Sequence, residues 1–160
     1  MARKRRRDSS KAPTNAGLSL ADAERLIRVP KTLPLTLSCI EIDLGMNADW
    51  DLEGEGEGLR LIVSQSRRNP NHAKYQLMAD NSIVLVRFEI EGPPHTNPDG
   101  QVVPCPHLHR FCEESPDAWA EPASGMFGDP KDLVACLAAF LAYCNIVQAP
   151  PIRTSRRFFR

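Results

Sequence analysis

At 160 residues, 42% of them hydrophobic and 6% aromatic, the chain is long enough to bury one core without a disulfide or a metal as an obligatory staple. No apolar run approaches the roughly 18 residues of a membrane span, the basic N-terminus lacks the apolar stretch of a secretory signal, and five cysteines without a Cys-x-x-Cys pair argue against a disulfide framework or a four-cysteine zinc site. The formal net charge of zero hides basic ends of +5 (residues 1–11) and +4 (residues 149–160), around a body whose ten basic and nineteen acidic residues leave −9.

A soluble, cytoplasmic protein is therefore expected, whose arms suit a phosphate backbone or an acidic surface better than its body does. Residues 1–17 carry no apolar pattern and are expected to be a disordered arm, in which Arg3, Arg5, Arg6 and Arg7 would touch nucleic acid or a partner. A single domain over residues 18–147 follows. Ser19 with Asp22 three residues on resembles a capping box, opening a helix whose Leu20, Ala23, Leu26 and Ile27 share a face until Pro30. Leu35, Leu37, Cys39, Ile40 and Ile42 read as a strand.

The acidic, glycine-rich run from Asp49 to Gly58 reads as a mobile loop, and its spacing does not match an EF-hand. Leu59 to Ser64 predicts a second strand. Arg67 to Pro70 makes a basic turn, with His72 on the surface after it. Lys74 to Met78, Asp80-Asn81 and Ser82 to Ile90 then predict a hairpin. Along its second strand Ile83, Leu85, Arg87 and Glu89 alternate with Val84, Val86, Phe88 and Ile90, which sends Phe88 to the core and leaves Arg87 to be presented.

Asn97-Pro98-Asp99-Gly100 is a tight turn by proline preorganisation and glycine permissiveness. Gln101 to Val103 and Cys105 to Cys112 form one or two more strands beside Val84 to Ile90, and Asp117 to Glu121 is an extended piece around Trp119. Asp129 as N-cap and Pro130 at the first helical position open a last helix, with Leu133, Leu137, Phe140, Leu141 and Cys144 as its apolar stripe and Asn145 at its end. The fold class is thus α+β. A twisted antiparallel sheet of five to seven strands is packed by two helices, with a second basic arm over residues 148–160 that carries Arg156 and Arg157.

Chemistry concentrates between His95 and Arg110, which hold three of the four histidines. On a strand His107 and His109 leave the same face roughly 6.6 Å apart. Cys105 shares that face but lies roughly 13 Å from His109 along the strand, so His95 is the better third member. Three readings stay open. Two of the imidazoles act as general acid and base on a phosphodiester without a cofactor, Arg87 or Arg110 meeting the developing charge and Asn97 and Tyr75 supporting. Alternatively His95, His107 and His109 ligate a divalent metal such as zinc with a position open to water. In the third, the rings satisfy turn carbonyls and are structural.

The stretches Leu85 to Ile90, His95 to Gly100, Pro106 to His109, Asp117 to Ala120 and Phe140 to Ile146 resemble an uncharacterised bacterial family of small proteins, over roughly residues 18–147. That resemblance implies no activity. More distantly, an Arg-aromatic-Glu strand followed by a histidine turn and Pro-His-x-His is similar to the TumE-like toxins of toxin–antitoxin pairs, which implies a small toxin that acts on RNA or translation and is neutralised by an antitoxin. The basic arms depart from both patterns. The first expectation is therefore a toxin-like protein acting on RNA or a ribonucleoprotein. The alternatives are a non-enzymatic inhibitor of a phage or host defence complex, working through its acidic body and arginine arms, and a metal-dependent hydrolase.

Overall fold

A computed structural model describes residues 17–56, 58–115 and 117–155. Arg3, Arg5, Arg6, Arg7, Arg156 and Arg157 lie outside the described residues. Helix α1 (Leu20–Arg28) starts where Ser19 Oγ accepts the Asp22 amide, stops before Pro30, and buries Ala23. Then come β1 (Lys31–Thr32), β2 (Ile40–Ile42), β3 (Asn47–Asp51), β4 (Glu53–Gly54), β5 (Leu59–Gln65), β6 (Ala73–Ala79) and β7 (Ile83–Ile90). They are followed by β8 (His95–Thr96), β9 (Val102–Val103), β10 (His107–Arg110), β11 (Ala120–Pro122), α2 (Leu133–Tyr143) and β12 (Ile152–Thr154).

The main sheet has six strands in the order β11-β10-β7-β6-β5-β3, each neighbouring pair antiparallel. Two-stranded pairs β1–β4, β8–β9 and the parallel β12–β2 complete an α+β fold. The β6–β7 hairpin turns through Asp80 and Asn81, both at positive φ (50° and 61°), the conformation a two-residue hairpin loop requires. Among the described residues no helix is long and apolar enough to cross a membrane.

Period-two alternation separates the two faces of this sheet. Leu61, Val63, Tyr75, Leu77, Val86, Phe88 and Leu108 are buried in the core with Cys136, Leu137, Phe140 and Leu141 of α2. The Tyr75 ring lies 6.0 Å from that of Phe140, and its hydroxyl donates to the Leu133 carbonyl at 2.9 Å. The opposite face is polar. Register sets Lys74, Glu89 and His107 in one row across three strands, and Gln76, Arg87 and His109 in the next.

Both helix C-termini converge on Lys31, which is 1% exposed. Its ammonium donates to the carbonyls of Ile27 and Val29, each at 2.8 Å, and to that of Cys144, so one cation satisfies carbonyls at the ends of α1 and α2. Burial draws its pKa down to about 8, against the raising effect of Cys144.

Four local expectations are corrected. The acidic run holds β3 and β4 rather than a loop, because Ala48, Trp50 and Leu52 alternate with Asp49 and Asp51 and turn inward. Leu35 to Cys39 is not strand: the Leu37 amide closes a turn onto the Pro34 carbonyl at 2.9 Å. Helix α2 begins at Leu133 with Asp132 as N-cap, since the Asp129 carboxylate instead accepts the Lys131 amide. Finally, His72 is half-buried rather than freely solvated: it reaches Glu89 at 3.0 Å.

Candidate metal centre

Cross-strand pairing builds the site. His107 pairs with Glu89 and His109 with Arg87, so two imidazoles, a carboxylate and a guanidinium leave the polar face side by side. The segment after β7 closes over them. Gly92 passes so near that a Cβ there would sit 2.2 Å from Glu89 Oε1 and 2.7 Å from the His72 ring, so a larger residue would have to displace both side chains. His95, on β8, brings in the third ring. Centroids are 4.6 Å apart for His95–His109, 5.1 Å for His107–His109 and 6.1 Å for His95–His107.

Hydrogen bonds assign the rings different states. His109 donates from Nδ1 to the Asp117 carbonyl at 2.9 Å and accepts at Nε2 from Arg87 Nη2 at 3.2 Å, which defines a neutral tautomer. Burial first, then the Arg87 charge and the neighbouring histidines, hold its pKa down at about 4. His95 donates from Nε2 to the Ala118 carbonyl at 2.7 Å. His107 differs: its Nδ1 lies 3.5 Å from Cys105 Sγ, while its Nε2 is buried with no hydrogen-bond partner and points at Glu89 Oε2 from 3.5 Å.

Burial by itself would raise the Glu89 carboxyl. The facing His107, the Lys74 ammonium at 3.8 Å and His72 at 3.0 Å outweigh it and hold the group at about 2, so a carboxylate sits beside two imidazoles.

Glu89, His107 and His109 each offer a ligand atom within 4.8 Å of the others, and all three are buried. A zinc ion bound at 2.0–2.2 Å needs its donors roughly 3.3 Å apart, which side-chain rotation can supply. The chemistry fits. The donors comprise one ionised carboxylate, one neutral imidazole whose far nitrogen is anchored on a backbone carbonyl, as ligating histidines commonly are, and one imidazole nitrogen that faces the carboxylate at 3.5 Å. Arg87 Nη2 bonds His109 Nε2 at 3.2 Å while its Nη1 pairs with Asp117 Oδ2 at 3.3 Å, so an ion at His109 Nε2 would have to displace the first of these contacts.

Of the residues singled out in the sequence, His107, His109, His95 and Arg87 converge, but His95 does not join the donor set. His107 and His109 are 1% and 0% exposed. Three others lie away from the histidine cluster. Tyr75 lies on the opposite, core face. Arg110 leaves β10 on the other side from the histidines and pairs with Glu121 at 2.7 Å. Asn97 is buried, its side chain bonded to the backbone of Ala120 at 2.8 and 3.0 Å. Glu89 and His72 were missed as site residues. The alternation that put Glu89 beside Arg87 was the available signal for the first, and nothing local pointed to the second.

A family of unknown function (DUF6978) matches residues 18–146. Neither a curated protein nor a solved structure matches the chain.

Proposed function

The chain belongs to that family of unknown function, and from its own residues we propose that it is a metal-dependent hydrolase whose divalent ion, zinc by the chemistry of the donors, is held by Glu89, His107 and His109. The observation that carries this reading is the buried convergence of Glu89, His107 and His109, whose ligand atoms lie within 4.8 Å of one another, with His107 Nε2 facing Glu89 Oε2 at 3.5 Å. When bound, the ion supplies Lewis acidity and a water acidified toward neutrality.

The protein's own groups do the rest. The Asp117 carbonyl fixes the His109 tautomer, and His72 with Lys74 holds the Glu89 carboxylate in place. Arg87, paired with Asp117, keeps a guanidinium beside the donors. His95, the one ring of the three not fully buried, keeps Nδ1 as its acceptor because Nε2 is bonded to Ala118.

Substrate class is a second step. Lys74, Gln76 and Arg87 continue the polar sheet face next to the donors, which favours a phosphodiester. This supports the toxin-like reading, in which RNA is cut and an antitoxin-like protein restrains the enzyme. Chelator-stripped protein titrated with zinc in a calorimeter is expected to take up one ion per chain. Glu89→Gln and His107→Gln should each weaken uptake at least tenfold, and RNA cleavage should return only with the metal. Zinc uptake unchanged in both variants removes the centre; uptake without RNA cleavage removes only the substrate assignment.

A further inference from the structure

The six-stranded sheet ends differently on its two sides. At the β11 edge the Asn97 side chain stands in for a missing strand, donating from Nδ2 to the Ala120 carbonyl at 3.0 Å and accepting the Ala120 amide at 2.8 Å. At the β3 edge no such substitute exists among the described residues. The Leu52 amide bonds the Leu59 carbonyl at 2.8 Å and the Gln65 amide bonds the Met46 carbonyl at 3.0 Å, so the even-numbered residues exchange hydrogen bonds with β5. Antiparallel alternation then turns the amides and carbonyls of Asn47, Asp49 and Asp51 outward. Strand β1 covers only the continuation at Glu53–Gly54.

Proteins usually blunt such an edge with proline, lysine or a bulge. Strand β3 has no proline or lysine and runs in unbroken register with β5. It carries acids instead. Asp49 and Asp51 are exposed and share one cation, Arg60, at 3.0 and 3.1 Å, and Glu53 follows. Pairing with a second copy of itself would set aspartates against aspartates, a repulsive cross-strand arrangement. The body of −9 adds to that bias. On the other face of the strand, half-buried Ala48 and Trp50 offer apolar contacts.

We propose that the outer edge of β3 is a docking site for an extended basic strand of a partner protein, taken up by strand addition. The partner's main chain pairs with Asn47, Asp49 and Asp51. Its lysines or arginines face the aspartates, and its alternate apolar residues lie beside Trp50. This assignment is independent of the metal centre.

The test titrates a seven-residue peptide of alternating lysine and valine into the full-length chain and follows amide exchange residue by residue. Binding is expected to slow exchange at Asn47, Asp49 and Asp51 at least tenfold. Asp49→Pro deletes an outward donor but no bond to β5, so it should abolish that protection while leaving the melting temperature near wild type. The double variant Asp49→Lys, Asp51→Lys, which keeps every backbone group, should weaken the peptide at least tenfold. The proposal is overturned by no binding at millimolar peptide, or by binding that leaves those three amides unprotected. It is equally overturned if a peptide of residues 1–11 gives the same protection, which would make the chain's own arm the occupant.

Discussion

His109 makes the stability of this fold depend on pH in a calculable way. Its pKa is held at about 4 in the folded chain, against 6.5 when unperturbed. Between those values the unfolded chain takes up a proton that the folded chain refuses, so stability rises with pH through this window and is lost as pH falls from 6.5 toward 4. Each pH unit is worth about 1 kcal/mol, and the whole window at most about 3 kcal/mol. Glu89, held at about 2 instead of 4.5, contributes stability that is present above 4.5 and fades only below it, so measurements between pH 7 and 4.5 isolate the histidine. His109→Asn removes the titrating group and keeps an N–H at the Nδ1 position for the Asp117 carbonyl. Urea unfolding in the presence of a chelator should show wild type losing about 2 kcal/mol more than the variant across that range, whatever constant penalty the substitution carries. Parallel stability profiles for the two proteins would refute the assignment of His109 as a buried neutral base.

Two further outcomes follow from buried hydrogen bonds. Lys31→Met leaves the Ile27, Val29 and Cys144 carbonyls without their donor and should cost about 2–4 kcal/mol, read as a drop in melting temperature of roughly 5–15 °C. A melting temperature equal to wild type would mean that the ammonium's desolvation cancels its bonds. Asn97→Ala strips the Ala120 amide and carbonyl of both partners and should destabilise the chain by about 2–3 kcal/mol, with faster amide exchange at Ala120. A neutral Asn97→Ala would show that water replaces the side chain there.

The sequence makes some of this legible because the relevant signals are local. The β6–β7 hairpin announces itself through alternation on both sides of Asp80-Asn81, and α2 through its apolar stripe. Elsewhere two signals compete. The glycines and acids of residues 49–58 masked the alternation of Ala48, Trp50 and Leu52, and two aspartates, Asp129 and Asp132, both suited an N-cap. Tyr75 shares its face with Leu77, which alone would have sent it to the core. The donor set was only half legible. Two residues on one strand declare a shared face, as His107 and His109 do. That Glu89 stands opposite His107, however, depends on the register between β7 and β10, which no local pattern encodes.

The segment that carries His95 cannot lift by itself. Asn97 ties it to β11, His95 ties it to the Ala118 carbonyl, and His109 holds the neighbouring Asp117 carbonyl from below. An ion arriving at the buried donors is therefore expected to wait until these contacts release together. Its expected lifetime there reflects the frequency of that opening as much as the strength of its own bonds.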